Sequence, residues 1–409
     1  MPDTVPGLDL ADQPTGYEAL TAWWAHMRDH APVRRDRALG HWHVFRYADA
    51  VTVLTDHETW SSDLRSLVRQ PEQFAIVARG AFNGFDPPDH RRLRGLVSKA
   101  FTPRVVAELE PVVRRITRDL LDAARGEREV ELIDALAYPL PLAVIAELMR
   151  VPLTDRERFR RWADALFYQG RGDDPVIVPT EEMLLSVEPL IGEMNAYFLD
   201  VIAERRRRPG DDLISGLVLA EDGGQRLADE EVLGVCGFLL VAGHITTTMV
   251  LGNAVHLLAT RPDAAAALRA EPAAIPAAVE EVLRLRGQLP ATARRATRDA
   301  ELGGFLIPEG DVVLVWVASA NLDERRFPDA DRFRPDRSPN QHLALGRGIH
   351  FCIGAPLARL EQRVALEELL AAWRDFRLGD GVEFVDPRQA IGLRRLPIRP
   401  VWADHRRPR

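Results

Sequence analysis

Leu345-Gly-Arg-Gly-Ile-His-Phe-Cys-Ile-Gly-Ala355, followed directly by Pro356, is a loop built around one cysteine. Gly346 and Gly348 permit positive φ and let backbone approach a flat ligand closely. Cys352 stands just before a helix start, where free amides and the helix dipole favour a thiolate. Gly354 keeps side-chain bulk away from the sulfur, and Pro356 is at home in a first helical turn. A thiolate with no second cysteine nearby suits a nucleophile or a single axial metal ligand. The plainer alternative is a buried free cysteine. A nucleotide loop is a weaker rival, because no βαβ setting precedes the GxG and no phosphate-binding lysine follows it.

The rest of the composition narrows the setting. The 409 residues are enough for a large core and, on length alone, for two or three domains. A net charge of −8 argues against bulk attraction to nucleic acid or an anionic membrane. Only one of the 53 basic residues is lysine, Lys99. Two cysteines, Cys236 and Cys352, exclude a disulfide framework and a multi-cysteine metal site, and they fit a reducing cytoplasm. No G-x-S-x-G or H-E-x-x-H pattern supports a hydrolase.

Val232 to Thr260 contains no Lys, Arg, Asp or Glu. It is long enough to cross a bilayer. Its centre carries His244, Thr246, Thr247, Thr248 and Asn253, which need polar partners that lipid does not supply. The reading is a helix surrounded by protein on all sides, with Asp229 as N-cap and Pro262 as the stop. Before it, residues 40–55 read as a strand and a short helix. Residues 88–125, 130–150, 152–170 and 180–208 read as helices, and 170–180 reads as a lid or binding loop. After it come helices near 262–271 and 275–286, strands within 300–318, and a last helix over 355–375. The class is mainly α with a minor β portion. His41 and His43 alternate on a strand and are not taken as a metal pair, and Cys236 is assigned to core packing.

The cysteine loop, with Ala-Pro-Leu-Ala-Arg-Leu-Glu after it, resembles the haem-binding loop of the cytochrome P450 family. Glu281-Val-Leu-Arg284 resembles the family's E-x-x-R. Ala242-Gly-His-Ile-Thr-Thr247 is similar to its oxygen-binding segment. Asn321-Leu-Asp-Glu-Arg-Arg-Phe327 with Phe333 and Arg337 resembles the meander before the cysteine, and Asp86-Pro-Pro-Asp-His90-Arg-Arg-Leu-Arg94 matches bacterial members. The resemblance implies one haem-thiolate domain over 1–409, with 1–20 irregular. It implies haem b ligated by Cys352, with Gly346 and Gly354 in the loop. His90, Arg94, Arg294 and His350 would meet the two propionates. Glu281 and Arg284 would form a structural pair. Gly243 would leave room for dioxygen beside Ala242, and Thr246 would steady it.

Two departures stand out. Leu345 replaces the usual Phe, which alters packing under the haem. Ile245 stands where most members carry an acid that helps relay protons, and isoleucine transfers none. Three readings stay open. Protons travel through Thr246, water and a substrate hydroxyl; or the outcome is unusual, such as coupling or ring formation; or peroxide replaces dioxygen. By position in the family, the substrate pocket would draw on 61–85, 165–192, 287–292 and 390–394. Phe82, Phe167, Leu239, Leu289 and Ile391 would be lining residues, and Arg65, Arg69 and Arg79 lie in the first stretch. The expected function is monooxygenation, by hydroxylation or epoxidation, of a bulky natural product. The alternative is a haem-binding partner without turnover. The resemblance also implies a cytoplasmic protein without nucleic-acid or membrane partners. Its electrons would come from a ferredoxin and its reductase, docking on Arg91, Arg92, Arg347, Arg359 and Arg363.

Overall fold

The computed structural model describes residues 13–36, 40–67, 71–167 and 181–403. Its axis is the uncharged stretch, a helix of 31 residues over Asp229–Ala259. The polar side chains within it are served by protein groups. Asn253 Nδ2 donates to the carbonyls of Arg286 (2.8 Å) and Ile391 (2.9 Å), and His244 Nε2 lies 3.1 Å from the Tyr138 carbonyl. Thr246, Thr247 and Thr248 each donate to the carbonyl four residues back, at 2.6, 3.0 and 3.1 Å. In its most apolar window, 72% of the helix is buried inside the protein.

Helices Glu72–Ala78, Pro139–Leu148, Arg156–Phe167, Glu181–Arg207, Ile275–Arg286 and Ala355–Ala372 pack around this axis. They bury one continuous apolar cluster, which includes Cys236. The β portion lies mainly in two sheets. One has the order Val33–Arg35, Trp42–Val44, Val312–Val315, Thr292–Ala296, Trp60–Ser61, with Trp42–Val44 and Val312–Val315 parallel and the remaining pairs antiparallel. The other joins Trp373–Leu378, Pro397–Trp402 and Val130–Glu131. In the first sheet Arg294 pairs in register with Val313, which fixes the arginine on a rigid element. His43 lies in the same sheet, and its Nδ1 accepts from Trp316 Nε1 at 3.0 Å.

Several boundaries differ from the sequence reading, each for a local reason. The long helix over 88–125 is three, Asp89–Ala100, Pro103–Glu108 and Glu110–Ala123, because Thr102 caps a new start before Pro103. Residues 130–131 form a strand, after which Glu131 accepts from the amides of Ile133, Asp134 and Leu396. Asp229 is the first helical residue and pairs with Arg206 instead of capping; Glu231 reaches back to the Ala228 amide at 2.9 Å. The last helix ends at Ala372, where a strand begins. The N-terminal stretch read as irregular is helical from Tyr17. The expected lid over 170–180 lies outside the described residues.

Candidate active site

A cavity of about 350 Å3 lies between the central helix and the cysteine loop. Leu345, Gly346, His350, Cys352 and Gly354 line it from the loop, and Leu239, Ala242, Gly243, Thr246 and Thr247 from the helix. A wider cleft of about 1070 Å3 beside Tyr138, Arg160 and Arg394 contains none of the expected site residues.

The loop is held by its own backbone. The Cys352 amide donates to the Leu345 carbonyl at 2.8 Å, and the Gly346 amide to the Leu343 carbonyl at 2.8 Å. Gly346 and Gly348 have φ of +73° and +71°, the left-handed region that glycine enters without strain. A Cβ on Gly348 would stand 2.7 Å from the Leu54 carbonyl oxygen, so the loop also needs bare backbone there. At Gly354 a Cβ would touch the sulfur at 3.8 Å, ordinary contact; the glycine leaves the ground beside Sγ open without being forced by conformation. Burial pushes the Cys352 thiol up, while the amides of Gly354 and Ala355 and the charge of Arg94 pull it down.

Cations collect at this cavity. Arg294 is 7% exposed and donates to the Ala293 carbonyl (2.7 Å) and Thr292 Oγ1 (3.3 Å). Burial brings its pKa down to about 10. Arg94 donates to the Phe351 carbonyl at 2.6 Å. The rings of His90 and His350 stand 4.4 Å apart. Burial, then Arg294, His90 and Arg94, take His350 down to about 3; burial and Arg94 lower His90. His90 Nε2 and both ring nitrogens of His350 are buried without a hydrogen-bond partner. Among the described residues no carboxylate forms an ion pair with any of the four. Orphaned donors and unneutralised charge at a cavity edge fit a ligand bearing carboxylates. The residues present therefore fit haem, with its two propionates.

Behind the cavity, Glu281 and Arg284 are fully buried and joined by two hydrogen bonds of 2.9 and 2.7 Å. Arg284 also donates to the carbonyls of Asn321, Ala330 and Arg332. Asn321 Oδ1 accepts from the Leu343 amide at 2.7 Å, which links this network to the cysteine loop.

Several expected residues lie elsewhere. Ile245 does not line the cavity; it is fully buried with Met249, Val385 and Ala390 on another side of the helix. Ile391 is also absent from the lining and packs with Leu285 and Trp316. Phe82, Leu239 and Leu289 do line it. The side chain of Phe167 and the whole of Arg69 lie outside the described residues. Arg65 pairs with Asp63, and Arg79 stands 3.9 Å from Glu230, so both have partners within the chain. Of the arginines expected to dock a redox partner, Arg92 pairs with Glu231, Arg359 with Glu280 at 2.7 Å, and Arg363 with Glu110 at 2.6 Å. Gly243 also serves packing, since a Cβ there would stand 2.7 Å from Ile145 Cδ1.

Sequence reasoning missed Glu361. It lines the cavity, is 1% exposed, and has one carboxylate oxygen without a partner. Burial pushes its carboxyl well above the usual carboxylate range. The signal was present: Leu357, Leu360, Val364 and Ala365 form an apolar helical stripe, and Glu361 occupies the remaining place in it. Its neighbour Gln362 donates to the Thr247 carbonyl at 2.9 Å, tying this helix to the central one.

A family model for cytochrome P450 matches residues 186–399. Erythromycin C-12 hydroxylase of Saccharopolyspora erythraea is 44% identical over 97% of this chain and 96% of its own. Cyclomarin C epoxidase CymV of Salinispora arenicola is 36% identical over 94% and 96%. The solved structure of the open cytochrome P450 Eryk from S. erythraea superimposes with a TM-score of 0.86 at 42% identity, covering 94% of this chain and 96% of that one. The agreement spans the central helix, the buried Glu281–Arg284 pair and the cysteine loop alike, and the chain belongs to the cytochrome P450 family.

Proposed function

We propose that this protein is a haem-thiolate monooxygenase of bacterial secondary metabolism, in which the Cys352 thiolate would hold the haem iron, and that it hydroxylates or epoxidises a bulky natural product. As a cytochrome P450 it is an oxidoreductase whose cofactor is haem. Bound haem would supply the activation of dioxygen, and the Cys352 thiolate would hold its iron and donate electron density to it. The observation that carries the reading is the single cavity that Cys352 shares with Ala242, Gly243 and Thr246, at whose edge unpaired cations gather.

The side chains divide the work. Arg94, Arg294, His90 and His350 would hold the propionates. Thr246 donates its hydroxyl proton to the Ala242 carbonyl, which leaves its oxygen lone pairs able to accept from a donor in the cavity. Glu361, whose carboxyl burial pushes well above the usual carboxylate range, lines the cavity from the helix that follows Cys352. Phe82, Leu239 and Leu289 present apolar surface to the substrate. The class of substrate is supported by relatives named for erythromycin, cyclomarin C and mycinamicin IV.

Bacterial members of the family generally take electrons from a ferredoxin and its reductase. For this chain we assign the docking charges to Arg91 and Arg347, since Arg92, Arg359 and Arg363 are neutralised internally. A cytoplasmic location agrees with the buried central helix.

The test is the carbon monoxide difference spectrum of the reduced protein, wild type against Cys352→Ser. A thiolate band in the wild type that is lost in the variant supports the reading. The same band in both overturns the assignment of Cys352.

A further inference from the structure

Helix Glu72–Ala78 leads into Gly80, and Gly80 lies backbone to backbone against Gly234 of the central helix. A Cβ on Gly80 would stand 2.2 Å from the Glu231 carbonyl oxygen and 2.4 Å from the Val235 nitrogen. A Cβ on Gly234 would stand 2.4 Å from both the Gly80 nitrogen and the Val77 carbonyl oxygen. The atoms in the way are backbone on both sides, so no side-chain rotation relieves the clash. One helical turn further on, a Cβ at Gly237 would meet side-chain ends, nearest among them Met194 Cε at 3.1 Å and Val77 Cγ1 at 3.3 Å. The outer side of the short helix is held as well: Asn195 Nδ2 donates to the Gln73 carbonyl at 3.0 Å and to Gln73 Oε1 at 3.1 Å.

Two residues beyond Gly80 is Phe82, which is 3% exposed and lines the cavity. Its ring meets Phe238, another lining residue, edge-on with centroids 5.4 Å apart. Phe238 sits four residues after Gly234 on the central helix, one turn along it. The glycine contact and the aromatic pair are thus consecutive links between the same two segments. The first sets the spacing at which the second forms.

We infer that Gly80 and Gly234 are specificity-determining positioning residues. Their backbone contact fixes how closely Phe82 approaches the central helix, and so what size and shape of apolar group the cavity accepts. A methyl at either glycine forces the 77–82 segment outward and opens the Phe82–Phe238 pair.

The inference rests on the haem reading, and two probes separate the failures. Imidazole binds haem iron through one nitrogen and fills little more; 4-phenylimidazole adds a ring that must lie against the apolar lining. Each is titrated into the holoprotein while the haem absorption band is followed. Gly234→Ala is expected to weaken 4-phenylimidazole about tenfold and to leave imidazole within about twofold. Phe82→Ala should produce a similar loss, and the double variant no more than Phe82→Ala alone, because both act through one ring. No band shift with imidazole in the wild type overturns the haem reading itself. Unchanged binding of 4-phenylimidazole in G234A, equal losses for both probes, or additive losses in the double variant overturn the role of the glycines. If G234A gives no folded holoprotein, Gly80→Ala repeats the test from the other side. Gly237→Ala, which meets only side-chain ends, gives its graded form, with a smaller shift in the same direction expected and no shift counting against the proposal.

Discussion

Replacing Glu281 with glutamine should be among the most damaging single changes outside the cavity, and the contacts say why. The Glu281 carboxylate accepts from Arg284 Nη2 (2.7 Å), the Arg334 amide (3.0 Å) and Arg337 Nε (3.0 Å) at Oε1. At Oε2 it accepts from Arg284 Nε (2.9 Å), Arg337 Nε (3.1 Å) and Asn340 Nδ2 (3.1 Å). All of these partners donate. A glutamine NH2 turns one acceptor into a donor facing donors, whichever way the amide is flipped. It also removes the only carboxylate among the described residues in contact with Arg284, whose side chain is 0% exposed, and with Arg337, at 6%. Neither guanidinium can shed its proton. Leaving a buried charge uncompensated costs about 3–5 kcal/mol, a large share of the roughly 5–15 kcal/mol by which domains are stable. The assay is urea unfolding of the holoprotein followed by tryptophan fluorescence. The double variant Glu281→Gln/Arg284→Met should not recover the loss, because Arg337 stays unpaired and the carbonyls of Asn321, Ala330 and Arg332 lose their donor. A loss below about 1 kcal/mol in E281Q, or full recovery in the double variant, would refute the claim that this carboxylate is the counter-charge on which the meander is assembled.

Four further outcomes are expected. His244 is brought down to about 4, chiefly by burial, against an ordinary 6.5. Its contribution is therefore complete above pH 6.5 and lost as pH falls towards 4; in His244→Gln the acid loss over that window should shrink by roughly 3 kcal/mol, measured by urea midpoints at each pH. Ile245→Glu places a carboxyl among Met249, Val385 and Ala390 and should cost roughly 3 kcal/mol or more at neutral pH; an unchanged melting temperature would contradict the packing. Burial raises the Glu361 carboxyl above its ordinary 4.5, so the wild type should lose stability as pH rises above that value and Glu361→Gln should not; the same pH dependence of urea midpoints in both would contradict the burial. Charge reversal at Arg91 and Arg347 should slow reduction by a ferredoxin and weaken its salt dependence, whereas reversal at Arg359 should mainly lower stability by breaking its pair with Glu280.

The cysteine loop was legible because its constraints are local. Positive φ at Gly346 and Gly348, the amide-rich turn and the helix start all follow from neighbours within ten positions. The central helix was legible for a different reason: a long uncharged run with interior polar groups has few other places to go. That run also hides its own orientation. It is apolar all round, so nothing in it says which side faces the cavity, and Ile245 beside Thr246 reads as cavity-facing when it packs against Met249 and Val385. Ile391 failed similarly, because its surroundings depend on how the C-terminal segment folds back over Leu285 and Trp316. The ion pairs of Arg92, Arg359 and Arg363 were not legible because their partners, Glu231, Glu280 and Glu110, are distant in sequence. Glu361 could have been found, since an acid inside an apolar helical stripe breaks a local rule.

The chain holds 61 acidic residues against 53 basic ones, so carboxylates are not scarce. The paired arginines show how freely they are used: Arg114 alone meets Glu110, Glu367 and Glu368. Against that supply, the lack, among the described residues, of an ion-paired carboxylate at Arg94 and Arg294 is a property of the site. An arginine cannot neutralise itself by losing a proton, so a buried one demands an anion from somewhere. The histidines beside them can lose theirs, and burial takes His350 down to about 3. The cavity edge thus carries fixed positive charge from two guanidiniums, together with two imidazole rings whose nitrogens can donate or accept. A ligand that satisfies this arrangement is anionic at its rim and apolar across the face that meets Ala242, Gly243 and Leu345. Bare protein carboxylates would meet the first requirement and not the second; a flat macrocycle with two propionates meets both.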